Sequence, residues 1–201
     1  MNILQISFHT APMNSLGVND GGGLNVYVES ISKELAKDNT VHIITGEQAK
    51  NMSKKNLKLS SFNLFTNQAN TEEKKEFLDE FIEKTFQYIE EHEIDVVHAH
   101  YWLSGLVAKE IKQRYKIPFI FTSHSLGVFI QENGLDRISA EKEIFNSAVL
   151  EYGNKSIWTF KIESDESTLI VQIADLTNDC YNGTVIREEA SDIREFQVCK
   201  E

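Results

Sequence analysis

Cysteine, net positive charge and long apolar runs are all scarce in this 201-residue chain, and each shortage excludes something. Only Cys180 and Cys199 are present, with neither metal-type spacing nor a framework of bridges, which fits a reducing, cytoplasmic compartment. A net charge of −11 argues against nucleic acid and anionic membrane surfaces as main partners, because both reward clustered Lys and Arg. Plain solubility is the simpler use of that acidity. The N-terminus shows neither a basic region nor a long apolar stretch, so no signal peptide or membrane span is visible. No Ser-His-Asp or Cys-His constellation is legible, and no internal repeat. With 41% hydrophobic residues the chain still has enough for one good-sized core and a small appendage.

Short apolar runs at Asn2 to Phe8, Val41 to Thr45, Leu57 to Phe65, Ile94 to His100 and Ile117 to Thr122 read as strands, most of them apolar throughout. Between them lie helical patterns. One begins near Val26, with Val26, Ile31, Leu35 and Ala36 on its apolar side. A second starts at Thr71 as a cap with acids in its first turn, and carries Leu78, Phe81, Ile82, Thr85, Phe86 and Ile89 on one face. A third follows Leu103, Leu106, Val107, Ile111 and Tyr115, and a fourth is expected from Ser139 to Leu150. Apolar strands alternating with helices imply an α/β fold: a Rossmann-like, three-layer domain with a parallel sheet over residues 1–150. Ligands of such sheets bind beyond the carboxyl ends of the strands. The chemically informative residues gather there, as His9 with the glycines, His98 to Trp102, and His124-Ser125.

After about Gly153 the texture changes. Ser156 to Ile162, Thr168 to Ala174, Thr184 to Ile186 and Phe196 to Val198 look β-like, with turn signals at Ser164-Asp165 and Asn182-Gly183. Residues 151–201 carry five basic against eleven acidic residues, more than half of the net charge in a quarter of the chain. That stretch is expected to be a separate β-rich acidic tail, either a small added unit or foreign sequence.

The run Asp20-Gly21-Gly22-Gly23-Leu24-Asn25-Val26-Tyr27-Val28 stands between a strand and a helix. Glycines there let a ligand approach the backbone, and a helix start offers unpaired N–H groups to phosphate or to sugar hydroxyls. A glycine turn with no ligand is the competing reading. His98 and His100, at i and i+2, form a conceivable metal pair, but no carboxylate or Cys accompanies them and no metal is expected. His98 inside an apolar strand reads as a core histidine, His100 reads equally as core or site, and Arg137 with Glu141 at i, i+4 reads as a surface pair.

Five pieces in order carry a resemblance: Phe8-His9-Thr10-Ala11-Pro12, the glycine run, Asp95-Val96-Val97-His98-Ala99-His100-Tyr101-Trp102-Leu103-Ser104-Gly105, Phe121-Thr122-Ser123-His124-Ser125-Leu126, and Arg137 with Glu141. Together they resemble the N-terminal, acceptor-side domain of family 4 glycosyltransferases of GT-B architecture, and most of all its D-inositol-3-phosphate glycosyltransferases and sucrose-phosphate synthases. The resemblance implies retaining transfer of a sugar from a nucleotide sugar to a sugar or polyol acceptor, phosphorylated in the inositol enzymes, with no cofactor. It places Gly22 and Gly23 near the donor phosphates, Asn25 and Tyr101 on the acceptor, and His124 at the catalytic centre on the donor sugar. Ser125 and Arg137 would hold an acceptor phosphate, helped by Lys74 or Lys75.

Members of that family are roughly twice as long, and their second domain supplies the nucleotide pocket. Nothing after Ala148 resembles it. The expectation is therefore a truncated or split transferase, weakly active or inactive alone, with a second chain supplying the donor domain as its partner. A non-catalytic sugar-phosphate binding or protein-docking module is the alternative. A dinucleotide-binding domain ranks last, since the glycines lack the G-x-G-x-x-G spacing and the acid after the second strand is displaced to Glu47 beyond Gly46.

Overall fold

The computed structural model describes residues 1–13, residues 23–125, the helical positions Arg137, Ala140, Glu141, Glu143, Ile144 and Ser147, and the backbone of four strands between 158 and 199. The chain divides into two units, Met1–Ala148 and Val149–Glu201. Asp20, Gly21, Gly22 and the Ser164-Asp165 turn signal lie outside the described residues, as does most of the helix expected over 139–150.

The first unit holds β1 (Asn2–Ile6), α1 (Gly23–Leu35), β2 (Thr40–Glu47), β3 (Met52–Lys54), β4 (Leu57–Phe65), α2 (Thr71–Lys75), α3 (Leu78–Glu90), β5 (Val96–His100), α4 (Trp102–Tyr115) and β6 (Phe119–Thr122). Its six-stranded sheet runs β3-β4-β2-β1-β5-β6. Every neighbouring pair is parallel except β3 with β4, a short hairpin edge that the sequence reading did not anticipate. The Rossmann-like α/β expectation therefore holds. β1 is central, with β2 on one side and β5 on the other, so the sheet's topological switch point lies between β1 and β5.

Packing follows the pleat. Ile3, Val41, Ile43, Leu57 and Leu59 form one apolar cluster across three strands. Phe8 meets Phe65 and Phe81 edge-on, with ring centroids 5.2 and 4.9 Å away. In α3, Phe81, Thr85, Phe86 and Ile89 are buried as the periodicity predicts, Tyr88 is buried in addition, and Leu78 and Ile82 are half-buried. Gly105 of α4 is a packing requirement: a Cβ there would come within 2.7 Å of Ile144 Cδ1 and 2.9 Å of Phe121. Its bare backbone lets Ile144 seat the segment that carries Arg137 and Glu141. No helix among the described residues is long and apolar enough to cross a membrane.

Four local expectations are corrected. Val26 is exposed; α1 instead buries Asn25, Val28 and Ser32. The α2 cap is Asn70 rather than Thr71: its Oδ1 accepts from Glu73 N at 3.0 Å while Glu73 Oε2 accepts from Asn70 N at 2.8 Å. Glu76 and Phe77 divide the expected long helix into α2 and α3. β2 continues past Gly46 to Glu47, with a register shift between Thr45 and Glu47, and Glu47 Oε2 accepts from Ala11 N at 3.1 Å.

The second unit has a four-stranded antiparallel sheet, β10-β9-β8-β7, from β7 (Trp158–Glu163), β8 (Thr168–Thr177), β9 (Cys180–Arg187) and β10 (Asp192–Cys199). Asn182-Gly183 is no turn; it lies inside β9, with Gly183 opposite both Ile173 and Phe196. The ladder between β9 and β10 sets Cys180 directly opposite Cys199, a pairing that their 19-position separation in sequence gives no hint of.

Candidate functional site

The pleat puts Gln5, His98, His100 and Thr122 on one face of the sheet. Gln5 is the register partner of His98, His100 that of Thr122, and His98 and His100 are two residues apart on β5. Polar side chains on a buried face need partners. His98 Nε2 lies 2.8 Å from Thr122 Oγ1, His100 Nε2 lies 2.5 Å from Gln5 Oε1, and His100 Nδ1 lies 3.1 Å from His124 Nε2. Tyr27 of α1 presents its ring edge-on to His100 and His124, at 5.8 and 5.2 Å.

A second group stands in front of this row. Tyr101, between β5 and α4, has φ 73° and ψ 157°, a conformation reserved in practice for glycine. It is held there by Tyr101 N donating to Thr122 O at 2.9 Å and by Gly105 N donating to Tyr101 O at 3.0 Å. One side of its ring meets His9 at 4.4 Å, and the Arg137 guanidinium carbon lies 4.8 Å from the ring centre. Arg137 donates from Nε to Glu141 at 3.0 Å, from Nη1 to the Tyr101 hydroxyl at 3.2 Å, and from Nη2 to Ser125 O and Oγ at 2.8 and 3.0 Å. The Arg137–Glu141 pair is buried, so the surface-pair reading fails: both side chains belong to the interior of the site.

Burial sets the electrostatics. Desolvation pushes His9 down to about 3, aided by the positive charges of Lys74, His124 and Arg137. It lowers His98 to about 4, His124 to about 4, and His100 well below its ordinary value. All four imidazoles are neutral at pH 7, while Lys74 and Arg137 bring positive charge to bear on His9. Of the two lysines, Lys74 is the one whose charge bears on His9; its Nζ lies over the Phe65 ring at 5.6 Å, and that of Lys75 over the Trp102 ring at 5.9 Å.

Buried polar atoms with no partner among the described residues include His9 Nδ1, Asn25 Oδ1 and Gln5 Nε2. Gly23 opens α1, and a Cβ on it would meet no described residue within 4 Å. The structure thus brings Tyr101, His124, Ser125 and Arg137 together around His9, with Asn25 and Gly23 on α1; Gly22 lies outside the described residues. Gln5 is the member that sequence reading missed. A lone polar residue in an apolar strand was its signal.

The family model for Glycosyltransferase Family 4 matches residues 21–156, well over half of the chain. The D-inositol 3-phosphate glycosyltransferase of Frankia alni is 33% identical over 132 residues, covering 59% of this chain and 31% of that protein. The enzyme of the same name from Corynebacterium efficiens is 30% identical over 154 residues, covering 71% of this chain and 36% of the relative. This chain therefore spans about a third of the length of the curated relatives it matches. The sucrose-phosphate synthase of Thermosynechococcus elongatus superposes with a TM-score of 0.64 at 26% identity, over 73% of this chain and 40% of that one. With its parallel sheet, its polar site at the strand ends and these matches, the chain belongs to glycosyltransferase family 4.

Proposed function

We propose that the first unit is the acceptor-side half of a sugar-transfer site, taking a phosphorylated polyol or sugar as acceptor and a nucleotide sugar as donor, with retention at the anomeric carbon. The observation that carries this is that His9 Nδ1 and Asn25 Oδ1 are buried with no partner among the described residues, while Lys74 and Arg137 bring positive charge to bear on His9. Leaving such atoms unpaired costs about 1–3 kcal/mol each, which a ligand's hydroxyl groups recover. The two cations favour an anionic ligand. In this reading Asn25 and Tyr101 contact the acceptor, His124 contacts the donor sugar, and the helix start at Gly22 and Gly23 faces the donor phosphates. Ser125 offers its hydroxyl to the acceptor phosphate, while Arg137 supplies charge and holds Ser125 and Tyr101 in place. The names of the relatives, with inositol 3-phosphate and sucrose phosphate in them, support a phosphorylated substrate. A second wall for the nucleotide is needed to stabilise the charged transition state, so a further domain or chain completes the enzyme. The acceptor site by itself is open to water and binds weakly, about millimolar.

Calorimetric titration with inositol phosphate and with inositol tests this. A charge-assisted phosphate contact of about 1.5–3 kcal/mol gives roughly a ten- to hundredfold preference for the phosphorylated ligand. Lys74→Ala and Arg137→Lys are expected to shrink that preference with the fold intact by circular dichroism. Equal affinity for both ligands in the wild type overturns the reading.

A further inference from the structure

Behind the site stand two side chains that this reading does not use. Gln5 and His100 are both fully buried, on adjacent strands, and they join His124 in one line: Gln5 Oε1 to His100 Nε2 at 2.5 Å, then His100 Nδ1 to His124 Nε2 at 3.1 Å. The line runs outward, because His124 is exposed at the mouth of the site.

Donor and acceptor roles along this line are not independent. A neutral imidazole carries one N–H and one bare nitrogen, and an amide oxygen only accepts. With Oε1 facing it, His100 must carry its proton on Nε2. Its Nδ1 is then bare, so the proton in the next contact belongs to His124 Nε2. His124 is left with a bare Nδ1, an acceptor and not a donor. Desolvation keeps His100 and His124 in the neutral form this logic requires. Neighbouring contacts hold the rings: His98 lies 4.1 Å from His100 and is itself bonded to Thr122, and Tyr27 packs edge-on against both rings of the line. His124 also sits at φ 59°, in the left-handed region, so its backbone alone does not favour this position.

We propose that Gln5 and His100 are positioning residues that fix His124 as its Nε2–H tautomer, so that His124 meets a ligand through a bare Nδ1 and selects a sugar hydroxyl as hydrogen-bond donor. The proposal rests on the reading of His124 as the residue that faces the sugar. Gln5 decides the outcome. With its amide turned the other way, Nε2 would donate to His100 and every proton in the line would move one place, making His124 Nδ1 a donor. Gln5 Nε2 is buried with no partner among the described residues, so the contact of Oε1 with His100 is the one that orients the amide.

Long-range nitrogen–proton NMR on the full chain labelled in its histidines reads each tautomer directly. Near pH 7 both His100 and His124 are expected as Nε2–H. Gln5→Glu keeps an acceptor and preserves this pattern. Gln5→Met, close in shape but unable to accept, leaves His124 a mixture of tautomers. Wild-type His124 protonated at Nδ1, or an unmixed Nε2–H form in Gln5→Met, overturns the proposal. D-glucose at millimolar concentration is the ligand probe, expected to shift the His124 Nδ1 resonance in the wild type and at least severalfold less in Gln5→Met. No shift in the wild type overturns the hydroxyl-selecting role. The inositol-phosphate titration is a separate readout, so its failure and the failure of this proposal are distinguishable.

Discussion

His42 and His92 lie with Tyr88 and Lys58 where β2, β4 and the end of α3 come together, whereas His9, His98, His100 and His124 lie at the carboxyl ends of β1, β5 and β6. Both groups are pressed by desolvation, with His42 lowered to about 4 and His98 to about 4. Their hydrogen bonding differs. His42 Nδ1 meets the Tyr88 hydroxyl at 2.8 Å, Lys58 donates to His92 Nε2 at 3.0 Å, and His92 Nδ1 donates to Tyr88 O at 2.8 Å. At the strand ends His9 Nδ1 is buried with no partner among the described residues, and Tyr101 and His124 adopt left-handed backbone conformations. A lowered pKa therefore marks burial in both places. Among the described residues, buried polar atoms without a partner, together with the glycine-like backbone of Tyr101, mark the strand ends.

Acid is the harshest way to probe both groups together. A histidine whose folded value is depressed binds fewer protons folded than unfolded, so its stabilising contribution is complete above its ordinary 6.5 and is lost as pH falls through its folded value. Thermal unfolding of the protein is expected to be flat from pH 8 to about 6.5, then to fall steeply toward about 4 and below as His98, His42, His124 and finally His9 are forced to charge. A melting temperature independent of pH over that window would contradict the desolvation of these imidazoles.

Glu141→Ala acts on the site alone. It leaves Arg137 with a buried charge deprived of its carboxylate at 3.0 Å, and a loss of about 3–5 kcal/mol is expected in urea unfolding, together with weaker acceptor binding. A cost below about 1 kcal/mol would return the pair to the surface role its spacing suggests.

Tyr88→Phe touches only the other group. It removes the partner of His42 for about 0.5–1.5 kcal/mol, and the inositol-phosphate titration is expected to be unchanged. Altered binding in that variant would join two regions that the hydrogen bonds keep apart.

Much of the first unit was legible in advance because burying strands on both faces leaves continuous apolar runs, as at Ile43-Ile44 and Val96-Val97, and because Phe81, Thr85, Phe86 and Ile89 repeat at the helical period. The β3 edge was not, since three residues, two of them exposed, carry no period. The cap moved from Thr71 to Asn70 because Thr and Asn compete for the same role and the reciprocal bond with Glu73 requires a spacing of three. Asn182-Gly183 looked like a turn because that dipeptide favours one, and pairing with strands on both sides prevailed.

By itself the sequence determined the α/β alternation, the β-rich change after about Gly153, and the gathering of His9, His98, His100, Tyr101, His124 and Ser125 at strand ends, because these follow from local period and from where each strand stops. Only the tertiary structure decided that Arg137 is buried and spans Glu141, Tyr101 and Ser125, that Lys74 rather than Lys75 acts on His9, and that Gln5 reaches His124 through His100. Each of those depends on contacts between residues 12 to 95 positions apart, beyond the Arg137–Glu141 step, and the order of strands in the sheet sets such distances.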